Sequence, residues 1–140
     1  MKVIAYSVKT FEKEVLAKAN DKKHDITLIS NALTIQTADY AKGKKAVLVF
    51  TSDDVCAVII NKLADLGIRY IATRSTGMHH IDQTAAKLKG IKLADAGSPS
   101  AHTLASETII PKQASLNLED LQQIAAQTIK NLDVWQAESN

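Results

Sequence analysis

The sequence predicts an α/β domain on one flavodoxin-like parallel sheet, five strands in the order 2-1-3-4-5, with helices on both faces and a long C-terminal helix packed on the domain. Three observations predict it. Short, nearly continuous apolar runs recur at residues 3–7, 26–29, 46–50, 69–73 and 91–94, the pattern of strands buried on both faces. Amphipathic stretches at helical spacing lie between them, with connections short enough for right-handed β-α-β units. Finally, 140 residues with 46% hydrophobic and 23% charged side chains make one ordinary globular domain and exclude a disordered chain.

The elements follow in chain order. After the first strand, Thr10 is a candidate N-cap for a helix with Phe11, Val15, Leu16 and Ala19 on one face and Lys13 and Lys18 outside. After the second strand, residues 32–42 predict a weaker helix that ends at Gly43. Ser52, Asp53 and Asp54 then place cap residues and negative charge before a helix over 55–66, where Val58, Ile59, Leu63 and Leu66 share a face and Gly67 stops it. Asp82 caps a helix over 83–89, and Gly90 ends that one. Residues 94–115 are rich in Ser, Thr, Ala and Pro and carry no clear period. Beyond them Asn117 caps a long helix with Leu118, Leu121, Ala125, Thr128, Leu132 and Trp135 as its apolar stripe. Such a stripe must pack on the sheet or on a partner.

Composition narrows the function. Seventeen basic against fifteen acidic residues give a net charge of +2, too small and scattered for a nucleic-acid footprint. Aromatic residues at 4% leave no base-stacking platform. No apolar run approaches the length of a membrane span, and the first seven residues lack the features of a signal peptide. One cysteine, Cys56, forms no internal disulfide and suits a reducing, cytoplasmic setting; it reads as a packing residue. The five glycines stand at 43, 67, 77, 90 and 97, too far apart for a dinucleotide or P-loop fingerprint.

In a parallel α/β sheet, ligands bind at the carboxyl ends of the strands. Those ends hold Ser7-Val8-Lys9-Thr10, Thr51-Ser52-Asp53-Asp54, Arg74-Ser75-Thr76-Gly77-Met78 and Ala96-Gly97-Ser98-Pro99. In the third, a glycine after a strand lets backbone N–H groups turn towards a carboxylate or phosphate oxygen. On spacing alone it reads first as a tight turn that needs one glycine. Adjacent His79 and His80 lack a metal-ligating partner four residues on, so no metal site is expected. His102 and Glu107 read as polar loop residues, and Lys42, Lys44 and Lys45 as a solvated turn.

The segment Leu66-Gly67-Ile68-Arg69-Tyr70-Ile71-Ala72-Thr73-Arg74-Ser75-Thr76-Gly77-Met78-His79-His80-Ile81-Asp82, continued by Ala85-Ala86-Lys87 and Gly90-Ile91-Lys92, resembles the substrate domain of D-2-hydroxyacid dehydrogenases, the D-lactate dehydrogenase type in particular. Ser7, Lys9 and Phe11 resemble that family's first strand–helix loop. Phe50-Thr51-Ser52-Asp53-Asp54 resembles the third, and Ser98-Pro99 with Ala101 the crossing into its NAD domain. The resemblance covers residues 1–108. It resumes over 109–140, where Ile110-Pro111-Lys112 and the following helix resemble the segment that returns to the substrate domain. Residues 1–140 thus read as one domain with the NAD-binding domain missing.

The resemblance implies a small 2-oxo or 2-hydroxy carboxylate as ligand, held by Ser75, Thr76, Gly77 and Met78 with Ser98. It implies no catalytic residue: the family's Arg and Glu fall in the missing segment, its acid–base His falls at Lys112, and its substrate-contacting Tyr at Gly97. Arg74 matches a substrate-domain arginine and not the catalytic one. No NAD or other cofactor is therefore expected, and Lys112 and Gly97 read as drift in a natural single-domain relative. The expected function is a binding domain without dehydrogenase activity by itself. Other readings are a homo-oligomeric interaction module using the surface uncovered by the missing domain, one half of a split dehydrogenase, or a different enzyme built on Lys112.

Overall fold

The computed structural model describes residues 1–75, 77–96 and 118–139. Strands β1 (Lys2–Ala5), β2 (Asp25–Leu28), β3 (Ala46–Val49), β4 (Tyr70–Thr73) and β5 (Lys92–Ala94) form one sheet in the order β2-β1-β3-β4-β5. Every neighbouring pair is parallel. Helices α1 (Thr10–Asn20), α2 (Ala57–Asp65), α3 (Gln83–Leu88) and α4 (Leu118–Ser139) complete the fold, with a 3-10 turn at Thr37–Ala41.

Strand alternation divides the core between two faces. Ile4, Tyr6, Val47, Val49 and Ile71 pack with Ile59, Ile60 and Leu63 of α2 and Ala85 and Ala86 of α3. Val3, Ala5, Ala46, Leu48 and Ala72 pack with Leu16 of α1 and Ala125, Ile129, Leu132 and Trp135 of α4. The stripe of α4 thus covers the sheet beside α1, and the Trp135 ring stacks on Tyr70 at 4.9 Å between centroids. The Leu118 side chain lies outside the described residues.

Several local expectations are corrected. Residues 32–42 make only the short 3-10 turn. Thr34 and Thr37 explain it: the Thr34 N–H donates to Thr37 Oγ1 at 2.7 Å, the Thr37 N–H to Thr34 Oγ1 at 3.1 Å, and the Thr37 hydroxyl to the Ala32 carbonyl at 2.6 Å. Side chains take backbone groups that an α-helix would have used. The N-cap of α1 is Lys9 and not Thr10. That helix buries Glu12, Leu16 and Asn20, while Phe11 stays 56% exposed, so its inward face is turned from the one the apolar residues suggest.

α2 also starts late, at Ala57, with Cys56 as a cap that makes no side-chain bond. Val55 is held extended instead: its N–H donates to the His80 carbonyl and its own carbonyl accepts from the Asp82 N–H, both at 2.9 Å. Asp53 caps no helix, and Val58, expected on the inner face, is 62% exposed. By contrast, Asp82 caps α3 as expected, its Oδ1 accepting from the Ala85 N–H at 3.0 Å.

Glu12 turns inward because Arg74, 1% exposed, meets it there. Arg74 Nε donates to Glu12 Oε2 at 2.9 Å, and Nη2 to Glu12 Oε1 at 3.2 Å and to the Ser7 carbonyl at 3.0 Å. The guanidinium carbon also lies 5.5 Å from the centre of the Phe50 ring. Removing one partner of a buried pair strands the other charge. Glu12→Ala therefore lowers unfolding free energy by about 3–5 kcal/mol, measured by urea denaturation. Glu14→Ala, which breaks the exposed pair with Lys18, costs about 1 kcal/mol or less.

Candidate functional site

The carboxyl ends of β1, β3 and β4 meet in a buried polar cluster. Ser7 follows β1 with a φ of +56°, a conformation that disfavours side-chain-bearing residues. Three hydrogen bonds hold it there besides that from Arg74. The Ser7 N–H donates to the Asn31 carbonyl at 2.8 Å, and the hydroxyl to Asp53 Oδ1 at 2.6 Å; the Val8 N–H next to it reaches the Ile29 carbonyl at 2.9 Å. Asp53, 1% exposed, also accepts from the N–H groups of Leu33 at 3.0 Å and Phe50 at 2.9 Å. It fastens three loops at once.

From β4 the chain enters the loop singled out by sequence. Ser75 is buried, and its hydroxyl lies 2.6 Å from Thr73 Oγ1. Thr73 Oγ1 in turn lies 3.0 Å from His80 Nε2. Imidazole and two hydroxyls thus make one hydrogen-bonded chain. The His80 pKa falls below its ordinary 6.5 because burial disfavours the cation and His79 repels it, while Asp53 pulls the other way.

Gly77 has a φ of +87°, and a Cβ added there would come within 3.3 Å of His79 Nε2. The positive φ calls for glycine, and a Cβ would also press on the exposed His79 ring. The Gly77 N–H donates to Asp95 Oδ2 at 3.0 Å. The Ala96 N–H donates to the Ser75 carbonyl at 2.9 Å, and Asn131 Nδ2 to the Asp95 carbonyl at 2.9 Å. The segment after β5 is thereby fastened to both the loop and α4.

The structure brings Ser75 and Gly77 together at the end of β4. Met78 packs against the apolar cluster on the α2–α3 face and so serves the core. Thr76, Gly97, Ser98, His102, Glu107 and Lys112 lie outside the described residues. His80, Thr73 and Asp95 were missed as parts of this site. An Asp at the end of the neighbouring strand was the available signal for Asp95, since adjacent parallel strands deliver their ends to one edge. Cys56 is a free thiol packed against the core. Among the described residues, no cluster of His, Cys, Asp and Glu could hold a metal ion, and no helix is long and apolar enough to cross a membrane.

Residues 2–140 match the family model of the D-isomer specific 2-hydroxyacid dehydrogenase catalytic domain. A 2-hydroxyacid dehydrogenase homologue of Zymomonas mobilis is 32% identical over 110 residues, 78% of this chain and 33% of that protein. The D-lactate dehydrogenase of Escherichia coli is 34% identical over 94 residues, 66% of this chain and 29% of that protein. The chain thus spans about a third of the length of these relatives. The apo structure of the Escherichia coli enzyme superposes with a TM-score of 0.66 at 33% identity, covering 68% of this chain and 30% of that one. D-2-hydroxyisocaproate dehydrogenase gives a TM-score of 0.65 at 28% identity, over 71% and 31% of the two chains. By sequence and by fold, this chain belongs to the D-isomer specific 2-hydroxyacid dehydrogenases and matches their catalytic domain.

Proposed function

We propose that this chain binds a small 2-oxo or 2-hydroxy carboxylate at the loop after β4 and does not carry out dehydrogenation by itself. The observation that supports this most is the contact between the Gly77 N–H and Asp95 Oδ2 at 3.0 Å. The loop amide already accommodates a carboxylate, one supplied by the chain. A ligand carboxylate takes the place of Asp95, so binding to the intact chain is weak and Asp95 sets its strength. Amide resonances of Ser75, Gly77 and Met78 shift on titration with pyruvate, D-lactate, glyoxylate or a longer 2-oxo acid. Asp95→Ala tightens binding about tenfold, equivalent to roughly 1.4 kcal/mol. The absence of any shift in both proteins refutes the reading. NADH with pyruvate gives no turnover by the chain alone; measurable oxidation would restore a dehydrogenase assignment.

His80 makes the binding pH-dependent. In the imidazolium Nε2 always carries a proton and donates to Thr73, Thr73 donates to Ser75, and the Ser75 hydroxyl hydrogen is free for the ligand; in the neutral ring this order holds only for the Nε2–H tautomer. A nearby anion also favours the imidazolium, so binding takes up a proton. Since the free-state pKa lies below 6.5, affinity rises as pH falls through the bound-state value and levels off below the free-state one. Calorimetry in buffers of different ionisation enthalpy detects that uptake. His80→Gln abolishes it while Asp95→Ala retains it.

Self-association is a second reading, favoured by Phe11, 56% exposed at the start of α1 beside the same carboxyl edge. An exposed aromatic ring is a natural anchor for a symmetric contact. Sedimentation then shows a dimer that Phe11→Ser dissociates. A wild-type monomer at high concentration removes this reading.

A further inference from the structure

At the amino edge of the sheet, opposite the strand ends that form the cluster above, lies an open cavity of about 520 Å³. Lys45, Arg69, Tyr70, Gly90, Lys92 and Gln136 line it. The strand starts bring its three basic side chains to one edge. The Arg69 N–H donates to the Lys45 carbonyl at 2.9 Å, and the Lys92 N–H to the Arg69 carbonyl at 3.0 Å. Lys45 and Arg69 therefore stand side by side just before β3 and β4, strands about 5 Å apart, while Lys92 pairs in register with Tyr70, one residue further along. Like charges so placed repel, and an anion between them relieves the repulsion.

The three differ in what they already hold. Lys92 Nζ lies 2.8 Å from Glu138 Oε1, which neutralises it. Lys45 and Arg69 have no ion-pair partner among the described residues. Two unpaired cations match the charge of a phosphate monoester, about −1.5 to −2 near neutrality. The arginine fork suits two of its oxygens. The cavity falls within the usual range for small-ligand sites, roughly 300–1,000 Å³, and exceeds what a free phosphate fills. Tyr70, backed by Trp135 at 4.9 Å, adds an aromatic wall for the ester's organic part.

We propose that this cavity is a binding site for a small phosphate monoester, with Arg69 and Lys45 holding the phosphate and Tyr70 contacting the ester group. Trp135 is the chain's one tryptophan, so its emission reports on events at Tyr70. Titration of the full chain with AMP changes that emission and shifts the amide resonances of Lys45, Tyr70, Gly90 and Lys92. Glycerol 3-phosphate shifts the same amides with lower affinity, and adenosine, which lacks the phosphate, leaves them unmoved. Arg69→Gln and Lys45→Gln, both at exposed positions, each weaken AMP binding about tenfold, as expected for the loss of one charge-assisted contact. Adenosine binding as tightly as AMP overturns the proposal. So does unchanged AMP affinity in both variants, or no response to millimolar AMP.

Discussion

The buried pair between Arg74 and Glu12 is the contact on which the carboxyl edge of this sheet depends. It joins the end of β4 to the first turn of α1, and its second arm reaches the Ser7 carbonyl after β1. Desolvating a guanidinium and a carboxylate is expensive, so the pair persists through geometry: two contacts between the charges, a carbonyl and an aromatic face. Of the guanidinium nitrogens, Nη1 is buried without a hydrogen-bond partner among the described residues. The cost is offset by the order imposed on Ser7, whose unusual backbone delivers its hydroxyl to Asp53.

That order reaches the loop after β4 through covalent continuity. Thr73 and Ser75 flank Arg74, so fixing the arginine fixes the hydroxyls on either side and their link to His80. The polar cluster of the carboxyl edge then holds Glu12, Asp53 and Asp95 against Arg74, with the exposed Lys9 at the start of α1. It is an edge poor in free positive charge. A carboxylate approaching it depends on backbone N–H groups and hydroxyl hydrogens more than on a counter-ion. The amino edge has the opposite balance, with Lys45, Arg69 and Lys92 around one cavity.

The sheet was legible in the sequence because strands buried on both faces leave uninterrupted apolar runs, and all five were found in order. Helices were legible only where side chains stay out of backbone bonding. Thr34 and Thr37 break the expected helix by capturing backbone groups, a contest that composition does not decide. The face of α1 was misread because its inward residue is a glutamate, and nothing local marks Glu12 as the partner of an arginine 62 positions away. Asp53 was read as a helix cap for the same reason: its partners Ser7 and Leu33 are brought by the sheet and not by sequence proximity. The turn at Gly77 was legible from a glycine placed directly after a strand. Its occupation by Asp95 was not, since that contact needs the order β3-β4-β5.

The position of α4 has a consequence for how the chain is made. Among the helices of the first 96 residues, only α1 packs on the face of Val3, Ala5, Leu48 and Ala72; among the described residues, the rest of its cover comes from Ala125, Ile129, Leu132 and Trp135. A chain still on the ribosome that has released its first hundred residues holds all five strands and a half-bare apolar sheet. Such a surface is a target for chaperones and for other unfinished chains. The sheet is safe only once α4 has been synthesised, which makes the arrival of that helix the step that closes this face of the fold.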